Sequence, residues 1–301
     1  MTPSLTLTGS GAAAAAFTRA VKAARGSLFV APLTESDRDE ALSFLSARPL
    51  HTVIMAGHIL ENGVASALNR GAFYGCRDRS GELQGVALIG HATMFEVRSR
   101  EALKMLARMA KTCPSVRTII GETESARKFW NEYKQRGQVA RLLSRTLLYE
   151  RSEPVNDYEP VEGLRMATPD DLPLIVPAHA QLVMEGMGVN PLETDPEGFL
   201  HRCARRVERR RVWVWIENGR LIFKADLMAD TPQAAYLEGV FIDCAWRGKG
   251  YGRRCFSQLT NMLLAPGRAV CGFVDAENGA ARAFYERTGH TALNPFEKIL
   301  L

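Results

Sequence analysis

The residues best suited to chemistry lie in a glycine-rich loop at 247–252, with the sequence Arg-Gly-Lys-Gly-Tyr-Gly. An apolar run at 236–242 predicts a strand before the loop, and an amphipathic run at 253–264 predicts a helix after it. Alternate glycines permit a tight turn with inward N–H groups, and the first turn of the helix adds free amides and a positive dipole end. Arg247 and Lys249 add full positive charges. The loop is therefore predicted to bind an anion, with a pyrophosphate as the preferred ligand.

The spacing of the loop excludes two common nucleotide-binding motifs. The dinucleotide motif G-x-G-x-x-G needs its third glycine one position later than Gly252, and a Walker loop needs Ser or Thr where Gly250 follows Lys249. The pattern R/Q-x-x-G-x-G/A is matched by Arg247, Gly250 and Gly252. In this the segment resembles the acyl-CoA loop of the GNAT superfamily of acetyltransferases.

A second segment, at 270–290, extends the resemblance. Its pattern predicts a strand, a turn at 275–279 and a short helix that ends at Gly289. It is similar to the GNAT pattern N-x-x-A-x-x-F/L-Y-x-x-x-G-F, although His290 replaces the usual Phe. The matching residues are Asn278, Ala281, Phe284, Tyr285 and Gly289.

The resemblance implies transfer of an acetyl group from acetyl-CoA to a primary amine, by direct attack in a ternary complex and without a metal. Tyr285 matches the GNAT tyrosine that protonates the CoA sulfur, and a ring that only packs under the sheet is the alternative. An alkylammonium, with a pKa of about 10.4, must lose a proton before it attacks. Glu238 alternates in register with Val240 and Ile242 and is the candidate base, while a salt bridge to a neighbouring strand explains it equally well.

Further cofactor contacts are predicted on both sides of the loop. Backbone amides of Val240, Phe241 and Ile242 would hold the thioester oxygen as its charge develops. Asn278 would hydrogen-bond the pantetheine arm, or only cap the next helix. The pyrophosphate would be held by Arg247, Gly248, Lys249, Gly250, Tyr251 and Gly252.

The composition fits an ordinary water-soluble profile. The 301 residues are 46% hydrophobic and 24% charged, and the formal charge of +5 suits a polyanion such as CoA but is too weak to argue for nucleic acid. No C-x-x-C pair occurs among the six cysteines, which are expected to be reduced thiols of a cytoplasmic protein. No apolar run approaches the ~20 residues of a membrane span, so no membrane partner is expected. The GNAT resemblance implies a small-molecule or peptide amine as the acceptor, and the sequence leaves a homodimer open.

The alternation of strand and helix patterns predicts an α/β (α+β) fold. The resemblance implies two GNAT-like mixed-sheet domains in tandem, with helices on both faces of each sheet. We expect a poorly ordered leader at 1–27, a degenerate GNAT-like domain without a cofactor loop at 28–150, a linker at 151–162 and the GNAT N-acetyltransferase domain at 163–301. The last two elements of the chain would be the strand and helix around Asn278.

Internal similarity supports the tandem arrangement. Ser-Ala-Arg-Lys-Phe-Trp at 125–130 aligns with Ala-Ala-Arg-Ala-Phe-Tyr at 280–285, and each follows a strand and precedes a glycine. Chance similarity of a short helix is the alternative. Phe-Lys-Ala-Asp at 223–226 and Gly-Val-Phe-Ile at 239–242 also resemble a subgroup of bacterial tandem proteins with an uncharacterised N-terminal domain, which brings no known substrate.

Three local expectations bear on the acceptor. A single strand is predicted at 83–95 and a loop, where specificity would reside, at 184–192. A helix at 196–211 is predicted to be apolar on one side and basic on the other, and the basic side is either solvated or a contact for RNA or an acidic substrate. The arginines concerned are Arg202, Arg205, Arg206 and Arg209.

Two other functions remain open at this point. In the first, the chain is a non-catalytic acyl-CoA sensor that binds a partner. In the second, it is an acetyltransferase that acts on a nucleic-acid-linked amine such as an aminoacyl-tRNA. Turnover with free amines would exclude the sensor, and a steep loss of binding with added salt would support the nucleic-acid substrate.

Overall fold

The computed structural model describes residues 28–301, so the predicted leader at 1–27 lies outside the described residues. The described chain divides into two compact units. Unit 1 contains residues 28–44, 62–142 and 299–301, and unit 2 contains residues 45–61 and 143–298.

Unit 1 is built on five strands. They are β1 (Phe29–Pro32), β2 (Gly71–Arg77), β3 (Leu83–Gly90), β4 (Ala92–Val97) and β5 (Thr118–Glu122). Their order in the sheet is β1-β2-β3-β4-β5, and each neighbouring pair is antiparallel except β4 and β5, which are parallel. The helices of this unit are α1 (Arg38–Ser46, whose last residues fall in unit 2), α3 (Arg100–Ala110) and α4 (Thr123–Tyr133).

Unit 2 has a larger mixed sheet, in the order β12-β6-β11-β10-β9-β8-β7. Its strands are β6 (Leu142–Arg151), β7 (Leu164–Met166), β8 (Val212–Glu217), β9 (Arg220–Asp230), β10 (Ala234–Ile242), β11 (Ala269–Asp275) and β12 (Thr291–Leu300). Its helices are α2 (Pro49–Asn62), α5 (Leu172–Met187), α6 (Pro191–Thr194), α7 (Pro196–Glu208), α8 (Tyr251–Leu263) and α9 (Gly279–Arg287). Helices α8 and α9 pack on one face of the sheet, and α5 and α7 pack on the other.

The two units repeat one strand plan. In each, four consecutive strands pair antiparallel, and the fourth then pairs parallel with the strand that follows the next helix. The parallel ladder covers three residue pairs in both units, from Ala92↔Thr118 in unit 1 and from Ala234↔Ala269 in unit 2. This confirms the predicted fold class of tandem mixed-sheet domains.

Three local predictions were wrong. The run at 83–95 contains two strands, because the chain turns at Gly90, where a β-carbon would lie 2.3 Å from the carbonyl oxygen of Arg70. The predicted loop at 184–192 is mostly helical: α5 continues to Met187, Gly188 ends it with a φ of 66°, and α6 follows. Strand β12 was not predicted.

Two segments from the first half of the chain belong to unit 2. Strand β6 pairs antiparallel with β11 from Thr146↔Asp275 to Arg151↔Val270. Helix α2 packs so tightly at Gly57 that a β-carbon there would lie 2.6 Å from the side chain of Ala229 on β9. Residues that precede the predicted linker therefore complete the sheet of unit 2 and cover its strand β9.

Candidate active site

The central feature of unit 2 is a split between β10 and β11. Their parallel ladder ends at Tyr236↔Cys271, whereas β10 stays paired with β9 as far as Ile242. A β-carbon built on Gly272, the next residue of β11, would lie 2.7 Å from Tyr285 Oη and 3.0 Å from the carbonyl oxygen of Leu237. The Tyr285 hydroxyl therefore lies where the two strands begin to diverge.

Tyr285 is held there by aromatic packing. The side chain is buried, and the rings of Tyr149, Phe256 and His290 lie 5.5, 5.2 and 5.1 Å from its own. Burial raises the pKa of Tyr285 well above its ordinary value, and the nearby Cys271 and Glu238 add to this. The phenol is therefore neutral at physiological pH and available as a hydrogen-bond and proton donor.

The glycine loop is anchored before it turns. The Asp243 carboxylate accepts the backbone N–H of Ala245 and pairs with the guanidinium of Arg220 through two contacts of 2.7 and 2.8 Å. Gly248 and Gly250 then adopt φ values of 74° and 85°, the left-handed region that favours glycine. The loop enters α8 in a conformation that L side chains adopt only with strain.

Helix α8 begins without a side-chain cap. By contrast, side chains cap α3, α7 and α9, through Ser99, Asp195 and Asn278 respectively. The first turn of α8 also contains no acidic residue. Its first amides and dipole end are therefore open to an anion, which is the arrangement that phosphate sites use.

The side chains of the loop have separate roles. Arg247 Nε donates to the carbonyl oxygen of Ile242 at 2.9 Å, so this side chain fastens the loop to the end of β10. Lys249 Nζ lies 5.8 Å from the Trp246 ring. The Tyr251 ring packs against Trp215 and Trp246 at 5.3 and 4.9 Å, so Tyr251 offers a ligand its backbone amide rather than its ring.

Gly252 brings α8 close to the strand. A β-carbon there would lie 2.2 Å from Ile242 Cδ1 and 3.4 Å from Phe284 Cε2. Asn278 acts as a helix cap, because its side-chain oxygen accepts the backbone N–H of Ala281 at 2.9 Å. Its amide nitrogen and the second lone pair of the oxygen are left for a cofactor.

The amides of β10 are redirected by a bulge. Glu238 pairs with Asp226 and Phe241 with Lys224, so Gly239, with a φ of 61°, and Val240 lie in an irregular segment between them. Asp243 N–H bonds to the carbonyl oxygen of Ile222 on β9. Since successive amides of a strand point to opposite sides, Ile242 N–H faces the split.

Glu238 is half-buried on the α5 and α7 face of the sheet, directly opposite Asp226. Its Oε2 lies 3.4 Å from Tyr236 Oη, a long hydrogen bond. Within residues 28–301 it forms no ion pair, so the alternative of a salt bridge to a neighbouring strand is not seen. The carboxylate is free to take part in other contacts.

A buried ionic cluster, which sequence reasoning missed, lies beside the bulge. Asp226 receives Lys224 Nζ at 2.6 Å and Arg206 Nη1 at 3.0 Å, and the same Arg206 nitrogen lies 3.0 Å from His179 Nε2. Lys224 Nζ also donates to the carbonyl oxygen of Gly239 at 3.3 Å. The sequence signal was the pair of opposite charges two residues apart in an apolar strand.

The electrostatics of this cluster follow from burial and opposite charge. Burial alone would raise the pKa of Asp226, but Lys224 and Arg206 outweigh it and lower the value. Burial, and then the charge of Lys224, lower the pKa of His179 to about 3. The imidazole is therefore neutral, and its Nε2 accepts from the guanidinium.

Unit 1 offers no comparable cradle. Only two residues connect β4 to α3, the Ser99 side chain caps the helix, and Glu101 lies in its first turn. The ring centroids of Phe95 and Phe129 are stacked 4.5 Å apart. A β-carbon built on Gly121 would lie 3.1 Å from Cζ of Phe95. An aromatic ring therefore fills the position that the Tyr285 hydroxyl occupies in unit 2.

Residues 181–290 match the acetyltransferase (GNAT) family. This segment is similar to the GNAT acetyltransferases. The match begins within α5 and ends at His290, so it includes the glycine loop, the split and Tyr285. Acyl transfer by an N-acetyltransferase is the chemistry of this family.

Solved structures extend the GNAT fold over nearly the whole chain. A GCN5-related N-acetyltransferase of Sphaerobacter thermophilus is similar at 15% identity, with a TM-score of 0.56, over 91% of this chain and 95% of that one. A GNAT acetyltransferase of Colwellia psychrerythraea gives 12% identity and a TM-score of 0.55, over 90% and 99%. A tandem GNAT protein from the clavulanic acid pathway gives 13% and 0.54, over 91% and 98%. A comparison with curated protein sequences finds no match.

In the described part of the chain, no helix is long and apolar enough to cross a bilayer. No group of three or more His, Cys, Asp or Glu side chains there is arranged to hold a metal ion.

Proposed function

We propose that this GNAT protein transfers an acetyl group from acetyl-CoA to a primary amine by direct attack in a ternary complex. The main support for this proposal is the geometry of the β10–β11 split. The β10–β11 split has the Tyr285 hydroxyl at its origin and the uncapped start of α8 beyond its open end. A ligand with a thioester at one end and a diphosphate at the other matches these two features.

The binding roles follow from the positions of the groups. The amides of 250–252 and the charges of Arg247 and Lys249 would hold the diphosphate. Ile242 N–H, which faces the split, would bind the thioester oxygen as it becomes negative, a contact worth about 3 kcal/mol in the transition state. The amide nitrogen of Asn278 remains for the pantetheine arm.

The chemical step balances with two side chains. The ammonium of the acceptor loses a proton to Glu238, directly or through water, and its nitrogen then forms a bond to the thioester carbon. Collapse of the tetrahedral intermediate breaks the C–S bond and releases the second amine proton. The sulfur leaves with a proton from Tyr285, which regains one from solvent.

The acceptor is proposed to be a small molecule or peptide rather than a nucleic acid. Two arginines of α7 and the residue after its end are already in ion pairs: Arg202 with Asp195, Arg206 with Asp226, and Arg209 with Glu61. These pairings break up the row of arginines that a phosphate backbone would contact. All six cysteines are free thiols, which supports a reducing cytoplasmic setting.

The test is release of CoA from acetyl-CoA, measured with the full chain across small amines, amino acids, peptide N-termini and lysine peptides. The proposal expects turnover with at least one class and an N-acetylated product by mass spectrometry. Tight acetyl-CoA binding with no turnover in any class would instead identify a sensor. Absence of acetyl-CoA binding would refute both the acetyltransferase and the acyl-CoA sensor.

A further inference from the structure

We propose that the Nε/Nη2 edge of Arg206 binds a carboxylate of the amine acceptor. The substrate class would then be amines that carry a carboxylate, of which α-amino acids are the simplest. This inference rests on the proposed function, since it identifies the acceptor of that same site.

The guanidinium is held in a fixed orientation. Its Nη1 donates to Asp226 Oδ2 at 3.0 Å and to His179 Nε2 at 3.0 Å. Asp226 is only 1% exposed and is held in turn by Lys224 at 2.6 Å, while the His179 ring stacks on Phe199. These two contacts hold Nη1 against Asp226 and His179 while the cluster is intact.

The opposite edge of this guanidinium has no protein partner. Both hydrogen bonds of the Arg206 side chain use Nη1, and no acceptor from residues 28–301 bonds to Nε or Nη2. The side chain is 24% exposed, so this edge is accessible to solvent. Nε–H and Nη2–H form the fork that binds a carboxylate through two parallel hydrogen bonds.

The charge of the cluster also favours an anion. Lys224 and Arg206 are cations, Asp226 is the anion between them, and His179 is neutral because burial lowers its pKa to about 3. Counted without Glu238, these groups have one positive charge in excess, while Glu238, across from Asp226, supplies a negative charge for the ammonium of an acceptor.

The position of Arg206 relative to Glu238 fits a zwitterion. Glu238 is the cross-strand partner of Asp226, and Asp226 accepts from Arg206 at 3.0 Å, so both side chains are neighbours of the same carboxylate. The two side chains nevertheless form no ion pair. An amino acid bound beside this carboxylate would place its ammonium at Glu238 and its carboxylate at Arg206.

Acceptor pairs that share one amine test this without any mutation. Wild-type protein is assayed for CoA release with an α-amino acid series and with the corresponding amino-acid amides, which lack the carboxylate. We expect kcat/KM to be about 10- to 100-fold higher for the acids, the range that a charge-assisted bidentate contact provides. Equal values for acids and amides would overturn the inference.

Two variants then assign the preference to Arg206. Arg206→Gln should raise KM for the acids about 10- to 100-fold and leave KM for the amides unchanged, and Arg206→Lys should recover only part of the loss because it lacks the fork. Arg205→Gln, the neighbouring position on α7, is the matched control and should change neither. Acetyl-CoA affinity by calorimetry should be wild-type in all three.

The outcomes distinguish failure of the carboxylate site from failure of the proposed acetyltransferase function. Wild-type turnover with amides and acids alike, or an equal loss for both in Arg206→Gln, refutes the carboxylate site and leaves the acetyltransferase standing. No turnover with any amine refutes the proposed function itself. If Arg206→Gln does not fold, the comparison of acids with amides in the wild-type protein still decides.

Discussion

Tyr285 Oη lies over the backbone of Gly272, 2.7 Å from the point where a β-carbon would stand. The Tyr285 hydroxyl occupies the space that a side chain at position 272 would need. This explains the glycine on β11 at the point where the strands diverge. This places a proton donor at the start of the split, and both residues become targets for mutation.

Tyr285→Phe removes only the hydroxyl. Because the ring keeps its contacts with Phe256 and Tyr149, we expect unchanged stability and acetyl-CoA affinity. If Tyr285 protonates the leaving sulfur, kcat should fall by roughly 10²–10⁴. Single-turnover kinetics measure this, and an unchanged chemical step would show that the tyrosine only packs.

Gly272→Ala should destabilise unit 2. Its β-carbon would press on Tyr285 Oη and on the carbonyl oxygen of Leu237, and such overpacking costs about 1–3 kcal/mol. Urea unfolding measures the loss. Gly279→Ala, whose β-carbon meets nothing within 4 Å, is the control, and adding Tyr285→Phe to Gly272→Ala should restore part of the stability.

Arg247→Ala should weaken acetyl-CoA binding. It removes both a charge beside the diphosphate and the bond from Nε to Ile242 that fastens the loop. A charge-assisted contact is worth about 1.5–3 kcal/mol, so the Kd should rise about tenfold or more. Calorimetry tests this against Arg287→Ala, an exposed arginine at the end of α9. Equal affinity of the two variants would refute the role of Arg247.

We expect one acetyl-CoA per chain, bound in unit 2. Gly250→Ala places a side chain at a φ of 85°, which costs about 1–2 kcal/mol in the loop and should reduce affinity. Gly137→Ala in unit 1, at a φ of 83° and with open space around it, imposes similar strain elsewhere and should leave affinity unchanged. Equilibrium dialysis that finds two sites would contradict the asymmetry between the units.

Stability should fall as the pH is lowered from about 6.5 towards 4. Burial and neighbouring cations lower the pKa of His179 and His290 to about 3 in the folded chain, so the unfolded chain binds more protons in this window. Each group contributes a slope of up to about 1.4 kcal/mol per pH unit. Urea unfolding between pH 4.5 and 7 tests this. His179→Gln should reduce the slope, and a flat profile in the wild type would refute the assignment.

Local sequence was sufficient for the glycine loop and the hairpin. An Asn-Gly pair between the strand-like runs 212–216 and 221–227 predicts a type I′ turn, and the φ values of Asn218 and Gly219, 51° and 72°, confirm it. The glycines of the loop likewise specify a left-handed turn before α8. The hydrophobic pattern at 83–95 predicts one strand instead of two, because the turn at Gly90 lies inside an apolar run without the polar residues that usually mark a turn.

Only tertiary structure decided the acceptor side of the site. The basic pattern of α7 predicts a solvated surface or a contact for RNA or an acidic substrate, but packing against β9 directs Arg206 into a cluster with Asp226 and His179. These residues are distant in sequence, and their pairing depends on sheet register and helix docking, which local propensity does not encode. The sequence by itself predicted the anion-binding loop and pointed to Tyr285, while the fold determined which charges meet, because a buried charge is costly unless it is paired.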